Sequence, residues 1–246
     1  MAILAAAFLV TALLYASVGF GGGSTYTALL ALAEVDYRLL PLLSLACNIV
    51  VVAGSSVRFA RARVTPWRDA LVLVACSAPA AFVGGLTPID ERSFLGILGA
   101  CLLLTGLTLL LPVREEHEAE PARIARLMPL FAVPLGYLAG LVGIGGGIFL
   151  APVLHLARWH GARAIAASAS LFILVNSLFG LGGQLLKGGA GRLGAAVDFG
   201  LPLLVAVAIG GQLGSLLALK YLPQRWIRLG TAALTAWVGG RLLLIL

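Results

Sequence analysis

Long apolar stretches fill this chain, and short clusters of charged residues separate them. Their approximate bounds are 2–18, 24–33, 39–57, 69–87, 93–112, 128–142, 147–157, 164–186, 196–219 and 226–246. A bilayer core is about 30 Å thick and each helical residue rises about 1.5 Å, so a transmembrane helix needs about 20 apolar residues. The pattern predicts an all-α polytopic membrane protein with many apolar helices of about that length.

The one long hydrophilic stretch runs from Val113 to Arg126, near the middle of the sequence. It carries three arginines and four glutamates, and a charged run of this kind is typical of a solvated loop. We therefore divide the chain into a first membrane repeat at residues 1–112, a cytoplasmic polar linker at 113–127 and a second membrane repeat at 128–246.

The two halves share a glycine-rich motif, GFGGGS in the first and GIGGGI in the second, at an offset of 124 residues. Two further identities follow at an offset of 126. The matched pairs are Gly19 with Gly143, Ser44 with Ser170, and Gly54 with Gly180. Three matches in the same order, on either side of a central linker, indicate a duplication, which is common among transporter folds.

The glycine runs predict a break in the first segment of each half. Residues 2–33 in one helix would span about 48 Å, far more than the bilayer core, and three successive glycines are unfavourable inside a helix. If both broken segments cross the membrane, there are eight crossings and the lysines and arginines divide ten against seven. If both re-enter, six crossings remain and the division is twelve against five.

The positive-inside rule favours the second arrangement. It gives three crossings per half, so the repeats have inverted topology, and both termini lie outside. The twelve cytoplasmic residues are then Arg58, Arg61, Arg63, Arg68, Arg114, Arg123, Arg126, Arg158, Arg163, Lys220, Arg225 and Arg228.

Non-helical backbone at membrane depth is tolerated where it is buried in protein or lines a watery cavity. Each break leaves a short helix beginning near Ser24 or Ile148, and its first amides lack intrahelical partners and attract anions. Tight packing of helices is the alternative role for these glycines. Serine and asparagine side chains within the apolar stretches add candidate donors, although hydrogen bonds between helices explain them about as well. The candidate substrate-binding residues are Gly19, Gly21, Gly22, Gly23, Ser24, Thr25, Ser44, Asn48, Gly143, Gly145, Gly146, Gly147, Ser168, Ser170 and Asn176.

Composition agrees with the pattern, because 61% of the 246 residues are hydrophobic and 11% are charged. The net charge of +7 comes from basic residues at the ends of apolar stretches, which argues against a nucleic-acid partner. The three cysteines form no CxxC motif, and no catalytic set, metal-ligand cluster or cofactor motif is recognisable. We therefore expect neither an enzyme nor a cofactor. No acidic residue lies in the middle of an apolar stretch, which disfavours a cationic substrate.

The paired glycine motifs, the central linker, the stretch AASASLFILVN at Ala166–Asn176 and the stretch IGGQLG at Ile209–Gly214 resemble the TauE/SafE family of anion permeases. The resemblance covers nearly the whole chain. Asn176 departs from the repeat, because its counterpart is Val50 while Asn48 lies two residues earlier.

The resemblance implies a multi-pass protein of the inner membrane that exports sulfite, sulfonates or thiosulfate through a cavity between the repeats. Its expected partners are a small anion and membrane lipid, and a homodimer is an open possibility. A carrier of another small organic anion, or a membrane scaffold that transports nothing, remain the alternatives.

Overall fold

The computed structural model describes residues 1–18, 20–110, 125, 127–217 and 224–245, with side chains described outside 17, 18, 189–193, 215–217 and 224–228. Its described residues are helical with short connections. The helices are α1 (Ala2–Val18), α2 (Gly23–Leu32), α3 (Leu40–Arg61), α4 (Trp67–Leu86), α5 (Glu91–Leu110), α6 (Met128–Val142), α7 (Gly147–Leu156), α8 (Ala162–Leu217) and α9 (Gln224–Ile245). The predicted linker lies almost wholly outside the described residues.

Five segments of the described chain are long and apolar enough to cross a membrane. They are Leu40–Arg61, Trp67–Leu86, Glu91–Leu110, Ala162–Gly188 and Gly194–Gly214. Large apolar side chains point outward from these helices, among them Val72, Leu104 and Val205. Water would make such a surface costly and a lipid bilayer favours it, so the all-α polytopic class is confirmed.

Both broken segments turn back on themselves. The rings of Phe8 in α1 and Tyr26 in α2 stack with centroids 4.7 Å apart, whereas one straight helix would separate these residues by about 27 Å. In the second half, the Leu135 carbonyl oxygen of α6 lies 3.2 Å from where a Cβ on Gly146 would stand. The short helices α2 and α7 therefore run back into their own half, as the re-entrant arrangement predicts.

Helix α8 contains two arms, Ala162–Gly188 and Gly194–Gly214, which the sequence predicts as separate stretches. In the first arm, Ser170 contacts Ser56 and Gly180 contacts Leu45, so this arm runs antiparallel to α3. In the second arm, Gly200 contacts Leu43 and Gly211 contacts Val51, so this arm runs parallel to α3. The chain must reverse direction between the arms, although both are helical.

These directions place the connections on two faces. The terminal face holds Met1, residues 33–39, residues 87–90 and the end of α9. The end of α9 lies there because α5 begins at this face and the two helices pack antiparallel through Gly99 and Gly239. The basic face holds residues 62–66 and 157–161. Because α1 begins at the terminal face and α6 at the basic face, the first helices of the two halves run in opposite directions. An inverted repeat requires this, and the symmetry between the halves stays a prediction.

A line of glycines brings α4, α6 and α8 into backbone contact. We call this line the glycine seam, and it consists of Gly84, Gly85, Gly136, Gly140, Gly180 and Gly183. A Cβ on Gly140 would collide with the Ala81 carbonyl of α4, and a Cβ on Gly85 would collide with the Gly180 carbonyl of α8. Close approach of backbones through small residues is typical of helix packing in membranes. Gln184 adds hydrogen bonds from its Nε2 to the carbonyls of Gly140 and Leu141, at 3.0 and 3.3 Å.

Candidate functional site

The two glycine breaks meet inside the protein. Gly22, with φ of 81°, precedes α2, and Gly146, with φ of 76°, precedes α7; neither offers a side-chain cap. Such left-handed backbone is readily adopted by glycine and is strained for residues with a Cβ. A Cβ on Gly23 would collide with the Ile144 carbonyl of the other break. The uncapped starts of two short helices therefore lie side by side.

Asn48 of α3 joins the two breaks. Its side chain is fully buried, and its Nδ2 donates a hydrogen bond of 3.3 Å to the Ile144 carbonyl. A Cβ on Gly21 or Gly23 would run into the same amide, and one on Gly145 would lie 2.7 Å from its Nδ2. Asn48 Oδ1 has no hydrogen-bond partner among the described residues. A buried acceptor therefore stands unsatisfied where the breaks meet.

Ser177 of α8 faces the second break. Its Oγ lies 3.2 Å from where a Cβ on Gly145 would stand, and it has no hydrogen-bond partner within the described parts of the chain. The Oγ of Ser24 in the first turn of α2 is likewise buried and makes no hydrogen bond of good geometry there, and its polar neighbour is the Tyr15 hydroxyl, which already bonds to Thr25 and Thr231. An unsatisfied buried hydroxyl costs about 1–3 kcal/mol, so such groups need an explanation, and a ligand that they bind supplies one.

Two predicted residues hold α2 in place instead of remaining free. Ser44 donates a hydrogen bond of 3.0 Å to the Gly23 carbonyl and accepts one from Thr27, also at 3.0 Å. Thr25 Oγ1 lies 2.8 Å from the Tyr15 hydroxyl, which donates a hydrogen bond of 2.7 Å to Thr231 of α9. Both serve as positioning residues for the first break.

Other predicted residues have partners away from the breaks. Ser168 donates to the Ala164 carbonyl of its own helix, at 2.9 Å, and Ser170 Oγ lies 3.0 Å from Ser56 Oγ. Asn176 Oδ1 accepts from Ser77 of α4 at 2.8 Å, and its Nδ2 is unpartnered among the described residues. The structure therefore brings Asn48, and not Asn176, to both breaks.

Gly19 lies outside the described residues, whereas Gly143 ends α6 in a left-handed conformation with φ of 82°. A Cβ on Gly147 would collide with Ile173 of α8, so the absence of a side chain here allows α7 and α8 to pack closely. Ser177 also lies beside the second break, although it is not among the predicted residues. The signal available for Ser177 was its position next to Asn176, which makes a polar pair inside an apolar stretch.

The comparison with protein families bears directly on this site. The family model described as Sulfite exporter TauE/SafE matches residues 3–242, which cover both breaks and all the residues just described. The chain belongs to the TauE/SafE family. The resemblance predicted from the glycine motifs is thereby confirmed, and the protein is a multi-pass membrane protein of a transporter family.

Curated relatives agree with this membership. The chain is 31% identical over 245 residues to the probable membrane transporter protein y4hK of Sinorhizobium fredii, covering 98% of this chain and 97% of that protein. It is 22% identical over 226 residues to the probable membrane transporter protein YunE of Bacillus subtilis, covering 80% and 81%. A probable membrane transporter protein of Methanocaldococcus jannaschii is 26% identical over 216 residues, covering 82% and 79%. No solved structure shows a significant match.

Proposed function

We propose that this TauE/SafE protein is an inner-membrane permease that exports small sulfur-containing anions from the cytoplasm, and that the anion binds where the two glycine breaks meet. The observation that carries the proposal is the pairing of two uncapped helix starts with buried, unsatisfied hydroxyls. Helix N-termini favour anions because their first amides lack partners and the helix dipole is positive there. Ser24 and Ser177 supply further donors from two different helices.

The unsatisfied Asn48 Oδ1 narrows the class of anion. The Nδ2 of the same amide already donates to the Ile144 carbonyl, so Asn48 offers a ligand only its acceptor oxygen. This oxygen lies beside the donors of the two helix starts. A bare dianion would meet this oxygen unfavourably, whereas an anion with its own O–H or N–H would donate to it. Hydrogensulfite meets this condition, whereas fully ionised thiosulfate does not; taurine carries N–H donors but is a zwitterion without net charge, so a membrane potential would not drive it.

The membrane potential supplies enough energy for export. Moving one charge across 100 mV is worth about 2.3 kcal/mol, so an inside-negative potential drives anions outward without a coupled ion. Within the described chain, the acidic residues Asp69, Glu91 and Asp198 lie near the starts of their membrane spans and not at mid-depth. This placement supports uniport, because ion-coupled carriers often use an acidic side chain at mid-depth.

The test uses purified protein in liposomes loaded with sulfite, thiosulfate, sulfoacetate or taurine, with a potassium–valinomycin potential imposed. We expect efflux of sulfite to accelerate when the inside is negative, with pH and sodium equal on both sides. Between pH 6 and 8, the efflux rate at a fixed potential should follow the hydrogensulfite fraction. A rate that ignores the potential and follows a proton or sodium gradient would refute uniport, and absence of efflux for the whole panel would refute the proposed substrate class.

A further inference from the structure

A cavity of about 360 Å³ opens near the terminal face, between the connections that follow α2 and α4. Its polar lining comes from Tyr37, Arg38, Gln184 and Lys187, and its apolar lining includes Pro41 and Leu141. We call it the vestibule. The residues of the predicted substrate site do not line it.

The vestibule carries two cationic side chains and no acidic one among its lining residues. Arg38 Nε donates to the Tyr37 hydroxyl at 3.2 Å, and this hydrogen bond raises the pKa of the guanidinium. Lys187 Nζ donates to the Thr87 carbonyl at 3.2 Å, which holds the ammonium at the rim. The carboxylates of Asp36 and Glu91 also help to raise the Arg38 pKa, but neither residue lines the cavity. The lining of the vestibule therefore carries two positive charges and no negative one.

The floor of the vestibule adjoins the second break. Pro41 and Leu141 line the vestibule, and the Cα of Pro41 lies against Gly143, so tightly that no Cβ fits there. Gln184 lines the same cavity and donates to the last carbonyls of α6, those of Gly140 and Leu141. The vestibule therefore shares Pro41 with Gly143, which directly precedes Ile144 of the meeting breaks.

We propose that the vestibule is a second anion site, in which Arg38 and Lys187 hold the oxyanion on the terminal face of the protein before it leaves or after it arrives. The proposal rests on the proposed function for the class of ligand, a small oxyanion such as a sulfonate. Arg38 offers a planar set of donors suited to two oxygens, and Lys187 adds a point charge to the lining of the same cavity. Pro41 lines this site and also contacts Gly143 of the second break.

Thiol labelling tests the site without any transport. Ile89 lines the vestibule, and Cys47 and Cys101 are buried, so Ile89→Cys in a Cys76→Ser background offers one accessible thiol. The protein is placed in liposomes of neutral phosphatidylcholine at low ionic strength, and the rates of an anionic and a cationic thiosulfonate reagent are compared. We expect Arg38→Gln and Lys187→Gln each to lower the anionic-to-cationic rate ratio about fivefold, as removal of one charge several ångströms away should do. Arg241→Gln removes a charge from α9 outside the vestibule and should leave the ratio unchanged.

Binding is read from protection by methanesulfonate, an oxyanion that does not react with the reagents. It should slow the labelling of Ile89→Cys, and the concentration for half-protection should rise about tenfold in Arg38→Gln. An unchanged rate ratio, or protection by added phosphatidylglycerol but not by methanesulfonate, would overturn the proposal, the latter by identifying a lipid headgroup as the occupant. Protection by methanesulfonate in a protein that transports no anion would uphold this site and refute the proposed function instead.

Discussion

At the scale of residues, the hydroxyls of Ser177 and Ser168 lie on the same arm of α8 and differ in their hydrogen bonds. Ser168 bonds to the Ala164 carbonyl of its own helix, whereas Ser177 is buried beside Gly145 without a partner among the described residues. Removal of a satisfied hydroxyl and removal of an unsatisfied one have different costs. The two serines therefore provide a matched pair for testing whether the unsatisfied group serves a ligand.

We expect Ser177→Ala to reduce anion efflux about tenfold, because a hydrogen bond to a charged ligand is worth about 1.5–3 kcal/mol. Its thermal stability should stay unchanged or rise, since the substitution removes a buried hydroxyl that has no protein partner. Efflux and the melting temperature of the purified protein would be measured together. Ser168→Ala is the control and should transport normally. Loss of stability with normal transport in Ser177→Ala would assign the hydroxyl to packing.

The sequence predicted the glycines of the site better than its side chains. Consecutive glycines mark a break wherever they occur in a long apolar stretch, so Gly21–Gly23 and Gly145–Gly147 were visible without a structure. The direction of a serine within an apolar helix depends on which helices surround it. That Ser170 contacts Ser56 while Ser177 lies beside the second break depends on how the first arm of α8 packs against its neighbours, which the sequence alone does not give.

At the scale of elements, the contact between the two breaks leaves no room for a side chain at Gly23. A Cβ there would collide with the backbone carbonyl of Ile144 as well as with the Asn48 amide, and a carbonyl cannot rotate away as the end of a side chain can. Gly54 of α3 provides the contrast, because a Cβ there would meet open space.

We expect Gly23→Ala to lower both efflux and the melting temperature, because the methyl group pushes the breaks apart. The efflux rate should fall more than tenfold, as an ångström-scale displacement of a binding group commonly causes. Gly54→Ala should keep full transport and gain about 0.5–1 kcal/mol of helix stability. The two variants would be compared by efflux and by thermal unfolding in the same detergent. Equal behaviour of both would contradict a contact between the breaks.

The start of α5 offers a test that depends on pH. Asp90 Oδ2 accepts a hydrogen bond of 3.0 Å from the Ser93 backbone amide, and this bond lowers the pKa of the Asp90 carboxyl. A carboxyl with a lowered pKa stabilises the fold above its unfolded pKa of about 3.9, and the stabilisation is lost as pH falls through the folded pKa.

We therefore expect Asp90→Ala to lower the melting temperature at pH 7, with a difference that shrinks as pH falls below about 4. Asp90→Asn keeps a capping oxygen and should retain most of the stability at both pH values. Thermal unfolding across the pH range would measure this. A difference between wild type and Asp90→Ala that grows on acidification would contradict the assigned hydrogen bond.

The apolar pattern predicted where the helices lie along the chain, but not which helices contact each other. Every predicted stretch has a helical counterpart in the described residues, because hydrophobic length alone identifies a membrane span. Contacts such as that between Asn48 and Ile144 were not predictable, since they join residues 96 positions apart through the turning back of two segments. The repeat offset pairs Gly54 with Gly180, but Gly180 belongs to the glycine seam while Gly54 faces open space.

At the scale of the whole molecule, the contacts place Met1 and the end of α9 at the terminal face, and residues 62–66 at the basic face. Arg58, Arg61 and Arg63 lie at or near the basic face, in agreement with the predicted excess of positive charge on the cytoplasmic side. The positive-inside rule, applied to these faces, predicts that both termini lie outside.

We expect a cysteine added after Leu246 to react with a reagent that cannot cross the membrane when the reagent is applied to intact cells. Arg63→Cys, or a cysteine in the linker at 113–127, should react only after the membrane is permeabilised, because the positive-inside rule predicts both on the cytoplasmic side. Labelling of the linker from outside would reverse the orientation, and the terminal face with its vestibule would then belong to the cytoplasm.

The glycine seam has a mechanical consequence. Where side chains interlock, one helix can move along another only if knobs leave their holes, and the barrier rises with each of them. Along the seam, backbone lies directly on backbone, as Gly140 does on Ala81 and Gly85 on Gly180. Helices α4, α6 and α8 therefore interlock few side chains along the seam, and a slide of a fraction of a helical turn must break the two Gln184 hydrogen bonds to α6. We expect a shear along the seam, and not the bending of a hinge, to be the motion with the lowest barrier in this fold.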